Sequence, residues 1–97
     1  MKKIKLSFIG VGFQSQIAHI ANFHKDKRVE LFDMAEFDSE LANDVKKSFG
    51  FSGIITNSVD ELISRKPDAV VIVVQRPLVA NIIKKCLKAQ INVLSEK

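Results

Sequence analysis

Two glycines near the amino terminus, Gly10 and Gly12, have the type and spacing of a phosphate-binding loop. They follow an apolar run that ends at Phe8-Ile9, where a strand is expected to give way to a helix. The first glycine of such a loop permits a tight turn, and the second lets the backbone approach a pyrophosphate. Amides at the start of the next helix attract anions. We therefore predict cofactor contacts from Phe13 and Gln14 as well as from both glycines.

An acidic residue, Glu36, follows the second apolar run at about the distance where an acid meets the adenosine ribose in dinucleotide-binding folds. Its carboxylate could accept hydrogen bonds from both ribose hydroxyls and would repel a 2′-phosphate. NAD is therefore the favoured cofactor, and NADP is less favoured. Asp33 is a competing candidate for this role if the strand ends earlier.

Arg76 lies at the carboxyl end of the fourth apolar run, on the rim where ligands bind in open parallel sheets. We predict that it contacts phosphate or adenine. The two histidines, His19 and His24, are five residues apart and do not share a helix face well, so no metal site is predicted. The only cysteine, Cys86, falls in an apolar helical stripe and is expected to be a buried thiol.

The elements that must position these residues alternate along the chain. Period-2 and continuous apolar runs predict strands, and the 3.6-residue spacing of apolar positions predicts helices. The predicted strands are 4–9, 29–35, 53–55, 69–74 and 91–94. Helices are expected over 14–25 and 39–49, from the capping box at Ser58 to a point before Pro67, which disfavours helix at Lys66, and from Pro77 onwards. The predicted fold is an α/β, Rossmann-like, doubly wound parallel sheet in the order 3-2-1-4-5, with helices on both faces.

Residues typical of helix starts and helix ends support these boundaries. Asp38 is a predicted N-cap, and Gly50 stands just past the end of the second helix. Ser58 and Glu61 are three residues apart and predict a capping box. Pro77 is suited to the first position of the last helix.

Composition favours one small domain of ordinary globular type. The chain has 97 residues, 46% of them hydrophobic and 27% charged, with no apolar run long enough to cross a membrane. The net charge is +4, but the lysines have no aromatic residues interleaved with them, so a nucleic-acid partner is not expected. One cysteine and no secretory signal pattern favour a cytoplasmic protein.

The whole chain resembles the N-terminal nucleotide-binding domain of the Gfo/Idh/MocA oxidoreductases. The matching segments occur in the family's order: Lys5–Gly12, His19, Val29–Leu31 followed by Glu36, Phe49-Gly50, Asp60–Ile63, Pro67–Ile72 and Asn92–Lys97. The last of these resembles the family signature Val-Leu-x-Glu-Lys-Pro. The order and spacing of these segments, taken together, carry the resemblance.

The resemblance implies that residues 1–97 form an NAD-binding domain of an enzyme that moves hydride between the cofactor and a sugar or polyol. It places Lys97 beside the nicotinamide and the substrate, where its charge would stabilise negative charge on the reacting oxygen, with Glu96 positioning it. It also implies a following substrate domain, absent from this chain, with the substrate pocket and a homo-oligomer interface. We therefore expect the 97-residue chain alone to be inactive.

Departures from the family pattern leave alternatives open. Ser15 replaces the third glycine, Val74–Pro77 replaces a Thr-Pro segment, Val79 replaces a histidine and Gln90 replaces a glycine. The changes after the fourth strand mildly support a non-catalytic nucleotide-binding or redox-sensing regulatory module. An S-adenosylmethionine methyltransferase would also use a glycine-rich first loop and an acid after the second strand, but the terminal Glu-Lys pair argues against it.

Overall fold

The computed structural model describes residues 3–10, 14–72 and 76–95. In these residues a five-stranded sheet has the order β3-β2-β1-β4-β5, and every neighbouring pair is parallel. Parallel neighbours need crossover helices, which explains the strict alternation of strand and helix. The predicted fold class and strand order are confirmed. The elements are β1 (Ile4–Ile9), α1 (Gln14–His24), β2 (Val29–Ala35), α2 (Ser39–Phe49), β3 (Ile55–Thr56), α3 (Val59–Ser64), β4 (Ala69–Ile72), α4 (Arg76–Lys88) and β5 (Asn92–Ser95).

The sheet has a hydrophobic core on each face. One core joins strand residues to α1 and α2 through Ile20, Ala42 and Val45. The other joins strand residues to α3 and α4, and its helical members are Leu62, Ile82 and Cys86. Consecutive residues of β4 are buried in opposite cores, as expected for a central parallel strand covered on both sides.

The caps of α2 are as predicted. The Asp38 carboxylate accepts a hydrogen bond from the Leu41 amide at 3.1 Å, which satisfies one donor of the first turn. Gly50 has a φ of 72° and donates its amide to the Lys46 carbonyl, as in a left-handed C-cap.

The predicted capping box of α3 is only half formed. The Ser58 hydroxyl accepts from the Glu61 amide at 3.1 Å, as expected. The Glu61 carboxylate, however, accepts from the Thr56 hydroxyl, and the Ser58 amide donates to that same hydroxyl oxygen at 3.0 Å. A side chain at the end of β3 therefore replaces the expected bond between Glu61 and the Ser58 amide.

Several element boundaries differ from the sequence-based expectation. The third strand is Ile55–Thr56 and not 53–55, because the Asp33 carboxylate takes the Ile54 amide at 2.7 Å. The last strand starts at Asn92 and not at Ile91, because the Ile91 amide closes α4 by donating to the Cys86 carbonyl. The last helix begins at Arg76, one residue before Pro77.

Candidate functional site

The first strand ends in a turn at Gly10. Its φ is 82°, in the left-handed region that glycine adopts without a Cβ penalty. The Gly10 amide donates to the Ala35 carbonyl at 2.9 Å, which joins the ends of β1 and β2. Gly10 therefore lies beside the residue that precedes Glu36. The predicted phosphate-loop glycine and the predicted ribose-binding acid share one edge of the sheet.

Glu36 directly follows β2 and is half-buried. Its amide donates to the Thr56 carbonyl at 2.9 Å, so the backbone pairing between β2 and β3 continues to this residue. The carboxylate accepts from the Asp38 amide at 3.0 Å, and this bond orients it within the loop before α2. A carboxylate has about four acceptor positions, so this bond is compatible with further hydrogen bonds to a ligand.

Asp33 does not belong to this edge, so its candidacy for the ribose contact is wrong. Its side chain is 0% exposed within β2. It accepts from the Ile54 amide and forms an ion pair with Arg65, whose Nε lies 2.7 Å from Oδ2. This partner raises the pKa of the Arg65 guanidinium. Asp33 is a buried internal anchor.

Most of the other predicted contacts are only partly described. Gln14 begins α1 and Arg76 begins α4, so both occupy helix N-termini that follow strand ends. Their side chains lie outside what the structure describes. The predicted site residues Gly12, Phe13, Glu96 and Lys97 also lie outside the described residues, and their roles stay predictions.

Phe37 was missed by the sequence-based reasoning. It stands between Glu36 and Asp38, and 86% of it is exposed. Large aromatic side chains are costly to leave in water, and a planar aromatic face stacks well on a nucleobase. The available sequence signal was a lone aromatic residue between two acids directly after a strand.

His24 and Cys86 pack within the fold. The His24 ring contacts Phe49 edge-to-face, with centroids 5.7 Å apart. Cys86 is buried, as predicted, and burial raises the pKa of its thiol. Among the described residues, no group of three His, Cys, Asp or Glu side chains could hold a metal ion. In the same residues, no helix is both long and apolar enough to span a bilayer.

These features fit a dinucleotide. A parallel sheet carries, at one edge, a left-handed glycine turn after its first strand and an orientated acid after its second. Helices begin beyond β1 and β4 at this edge, and helix N-termini favour phosphate. The fold and site define a dinucleotide-binding Rossmann domain.

The family follows from comparison with known proteins. The sequence profile of the Gfo/Idh/MocA oxidoreductases, described as an oxidoreductase family with an NAD-binding Rossmann fold, matches residues 4–97. The chain belongs to this family. The predicted family and its NAD cofactor class are thereby confirmed. No curated protein sequence gives a significant match.

Solved structures share this fold. Scyllo-inositol dehydrogenase from Lactobacillus casei, solved with NAD(H) and scyllo-inositol, superposes with a TM-score of 0.88 at 26% identity, over 99% of this chain and 28% of that chain. GenD2 from gentamicin A biosynthesis, solved with NAD, has a TM-score of 0.88 at 24% identity, over 100% and 27%. KijD10, a 3-ketoreductase from Actinomadura kijaniata solved with NADP, has a TM-score of 0.83 at 21% identity, over 97% and 30%. The chain therefore spans under a third of these relatives.

Proposed function

We propose that this chain binds NAD(H) along the carboxyl edge of its sheet. The hydrogen bond from the Gly10 amide to the Ala35 carbonyl carries the proposal, because it sets the glycine turn beside Glu36. The pyrophosphate would lie over the turn between β1 and α1, with Gly12, Phe13 and Gln14 contributing. Arg76 would approach from the start of α4. The adenosine ribose would meet the Glu36 carboxylate.

The loop after β2 favours NAD over NADP. Residues 36–40 contain three acids, Glu36, Asp38 and Glu40, and no lysine or arginine. A 2′-phosphate would meet carboxylates where NADP-binding sites commonly provide an arginine. Like-charge juxtaposition in a binding site costs several kcal/mol, and about 1.4 kcal/mol already corresponds to a tenfold change in affinity. We therefore expect NADPH to bind at least about tenfold more weakly than NADH.

Phe37 is proposed as a stacking surface for the adenine. It directly follows the ribose-binding acid, and its exposed ring belongs to the same loop. Base–aromatic stacking contributes about 1–3 kcal/mol per base when measured by alanine substitution. An apolar ring also suits a base whose faces are apolar, whereas the neighbouring acids suit the ribose hydroxyls.

For the intact protein we propose hydride transfer between nicotinamide and a sugar or polyol-like substrate. The nicotinamide ring, when bound, supplies the acceptor or donor of the two electrons. Lys97 would hold its ammonium against the reacting oxygen, with Glu96 positioning it, and so stabilise negative charge in the transition state. The substrate pocket and the homo-oligomer interface would belong to a further domain. The low share of each solved relative that this chain covers supports that division.

Calorimetric titrations of the chain with NADH, NADPH and S-adenosylmethionine test the cofactor proposal. We expect NADH to bind tightest and S-adenosylmethionine not to bind. Glu36→Gln should weaken NADH binding and reduce the difference in affinity between NADH and NADPH, because it removes the carboxylate charge and keeps the side-chain shape. Asp44→Asn is the matched control, since it removes the same charge from an exposed position of α2. Equal affinity for NADH and NADPH, or preferred binding of S-adenosylmethionine, would contradict the proposal.

A further inference from the structure

The pairing of β1 with β2 contains an irregularity next to the proposed cofactor edge. Leu6 is opposite Leu31, but Phe8 is opposite Met34. Two residues of β2, Phe32 and Asp33, therefore stand against Ser7 of β1, as in a β-bulge. The Asp33 amide donates to the Ser7 hydroxyl oxygen at 3.2 Å, so a side chain satisfies a donor within the irregular step.

A set of side chains around Asp33 holds this bulge. Arg65, at the end of α3, pairs with the Asp33 carboxylate, and its guanidinium carbon lies 5.1 Å from the centroid of the Phe32 ring. One arginine therefore contacts both bulged residues. The carboxylate also accepts from the Ile54 amide. A Cβ on Gly53 would lie 1.9 Å from Asp33 Oδ1, so this position has room only for glycine.

The bulge determines which residues reach the edge of the sheet. With the extra residue, Ile9 is opposite Ala35, and the Gly10 amide meets the Ala35 carbonyl. Without it, the register would place Ile9 opposite Met34. Glu36 would then lie one residue, about 3.3 Å, farther beyond the sheet. A one-residue slip also moves each side chain to the opposite face.

We propose that Asp33 is a positioning residue for cofactor selection, which acts by holding the bulge that brings Glu36 beside Gly10. The inference rests on the proposed role of Glu36 in discriminating against a 2′-phosphate. Burying a carboxylate such as that of Asp33 costs free energy, and an ionic partner often does no more than offset this cost. Fixing the strand register is a role that the Asp33 carboxylate can perform and an apolar residue could not, because it depends on hydrogen bonds from the Ile54 amide and Arg65.

The test is a double-mutant cycle on the ratio of NADH to NADPH affinity. Asp33→Ala should lower this ratio by about tenfold in the wild-type background. It should change the ratio little when Glu36 is already glutamine, because the discriminating charge is absent. Arg65→Ala should act in the same direction without altering a strand residue, and Arg65→Lys should restore part of the ratio. An unchanged ratio in folded Asp33→Ala and Arg65→Ala proteins would overturn the inference.

A second measurement distinguishes a change in strand register from a general loss of stability, and it does not depend on cofactor binding. Amide hydrogen exchange should show loss of Gly10 protection in the Asp33 and Arg65 alanine variants. Ile82→Ala, which truncates the core beneath α4, is the control for general destabilisation and should keep both the ratio and Gly10 protection relative to its neighbours. Retained Gly10 protection in both alanine variants would refute the register claim even if no dinucleotide binds. Failure of the wild-type chain to bind NADH would refute the proposed function instead.

Discussion

Gly53→Ala is the substitution for which the structure gives the sharpest expectation of lost stability. The added Cβ would lie 1.9 Å from Asp33 Oδ1 and 2.8 Å from the Phe32 carbonyl oxygen. The backbone carbonyl cannot rotate away as a flexible side chain would. The carboxylate can move only by giving up its bonds to the Ile54 amide and Arg65.

The size of this effect follows from two known costs. Overpacking a core costs about 1–3 kcal/mol, and leaving a buried polar group such as the Asp33 carboxylate without a hydrogen-bond partner costs about 1–3 kcal/mol more. We therefore expect Gly53→Ala to lower the free energy of unfolding by about 3 kcal/mol, a large part of the roughly 5–15 kcal/mol typical of a domain. With the usual urea dependence, this loss lowers the unfolding midpoint by about 1–3 M.

Gly50→Ala is the matched control. Its glycine has a φ of 72° and nothing within 4 Å of an added Cβ, so only the left-handed backbone is penalised. That penalty is about 1–2 kcal/mol. Circular dichroism is the suitable probe of urea unfolding, because the chain has no tryptophan or tyrosine. If Gly53→Ala is as stable as Gly50→Ala, the close packing of Gly53 against the Asp33 cluster is refuted.

Three further predictions concern the site and the surface. Phe37→Ala should weaken binding of NADH and of ADP-ribose by about tenfold and leave binding of nicotinamide mononucleotide unaffected. The control is Leu87→Ala, which truncates an exposed residue of α4. An equal loss of affinity for all three ligands would contradict stacking of Phe37 on adenine. The pKa of Asp26 should be about 2, against 3.8 for the ordinary group, because Arg28 donates hydrogen bonds to its carboxylate. The contribution of this pair to folding stability is therefore present above pH 3.8 and is lost as the pH falls towards 2. A carbon-13 titration of Asp26 with an ordinary midpoint that Arg28→Ala does not change would disprove this pairing. In the intact protein, Lys97→Ala should reduce turnover far more than NADH affinity, and Lys97→Arg should rescue poorly; normal turnover in the alanine variant would refute the role of Lys97.

Much of the fold was predictable because it depends on local patterns. The apolar run 69–74 predicts a central strand, and the structure buries successive residues of β4 in opposite cores. Asp38 and Gly50 bound α2 as their residue types predict. Gln90, which replaces a family glycine, has a φ of 62°, in the left-handed region that glycine adopts without a Cβ penalty.

The errors arise where distant residues decide the local structure. The third strand was misplaced because the Asp33 carboxylate, 21 residues away, takes the Ile54 amide. The exception is Glu61, which pairs with the hydroxyl of Thr56, only five residues away, and not with the Ser58 amide. Asp33 looked like a ribose-binding acid because no local pattern reveals a bulge, which exists only in the pairing with β1.

We propose that the dinucleotide lies along the edge where β1 and β2 end. The most direct measurement is a nitrogen-15 amide spectrum of the chain during titration with NADH. We expect the largest shifts at Gly10, Glu36 and Phe37 and at the start of α1, with little change at Asp26 or Asp68 on the opposite edge. Shifts concentrated at that opposite edge, or none at Gly10 and Glu36 when NADH is bound, would contradict this placement of the cofactor.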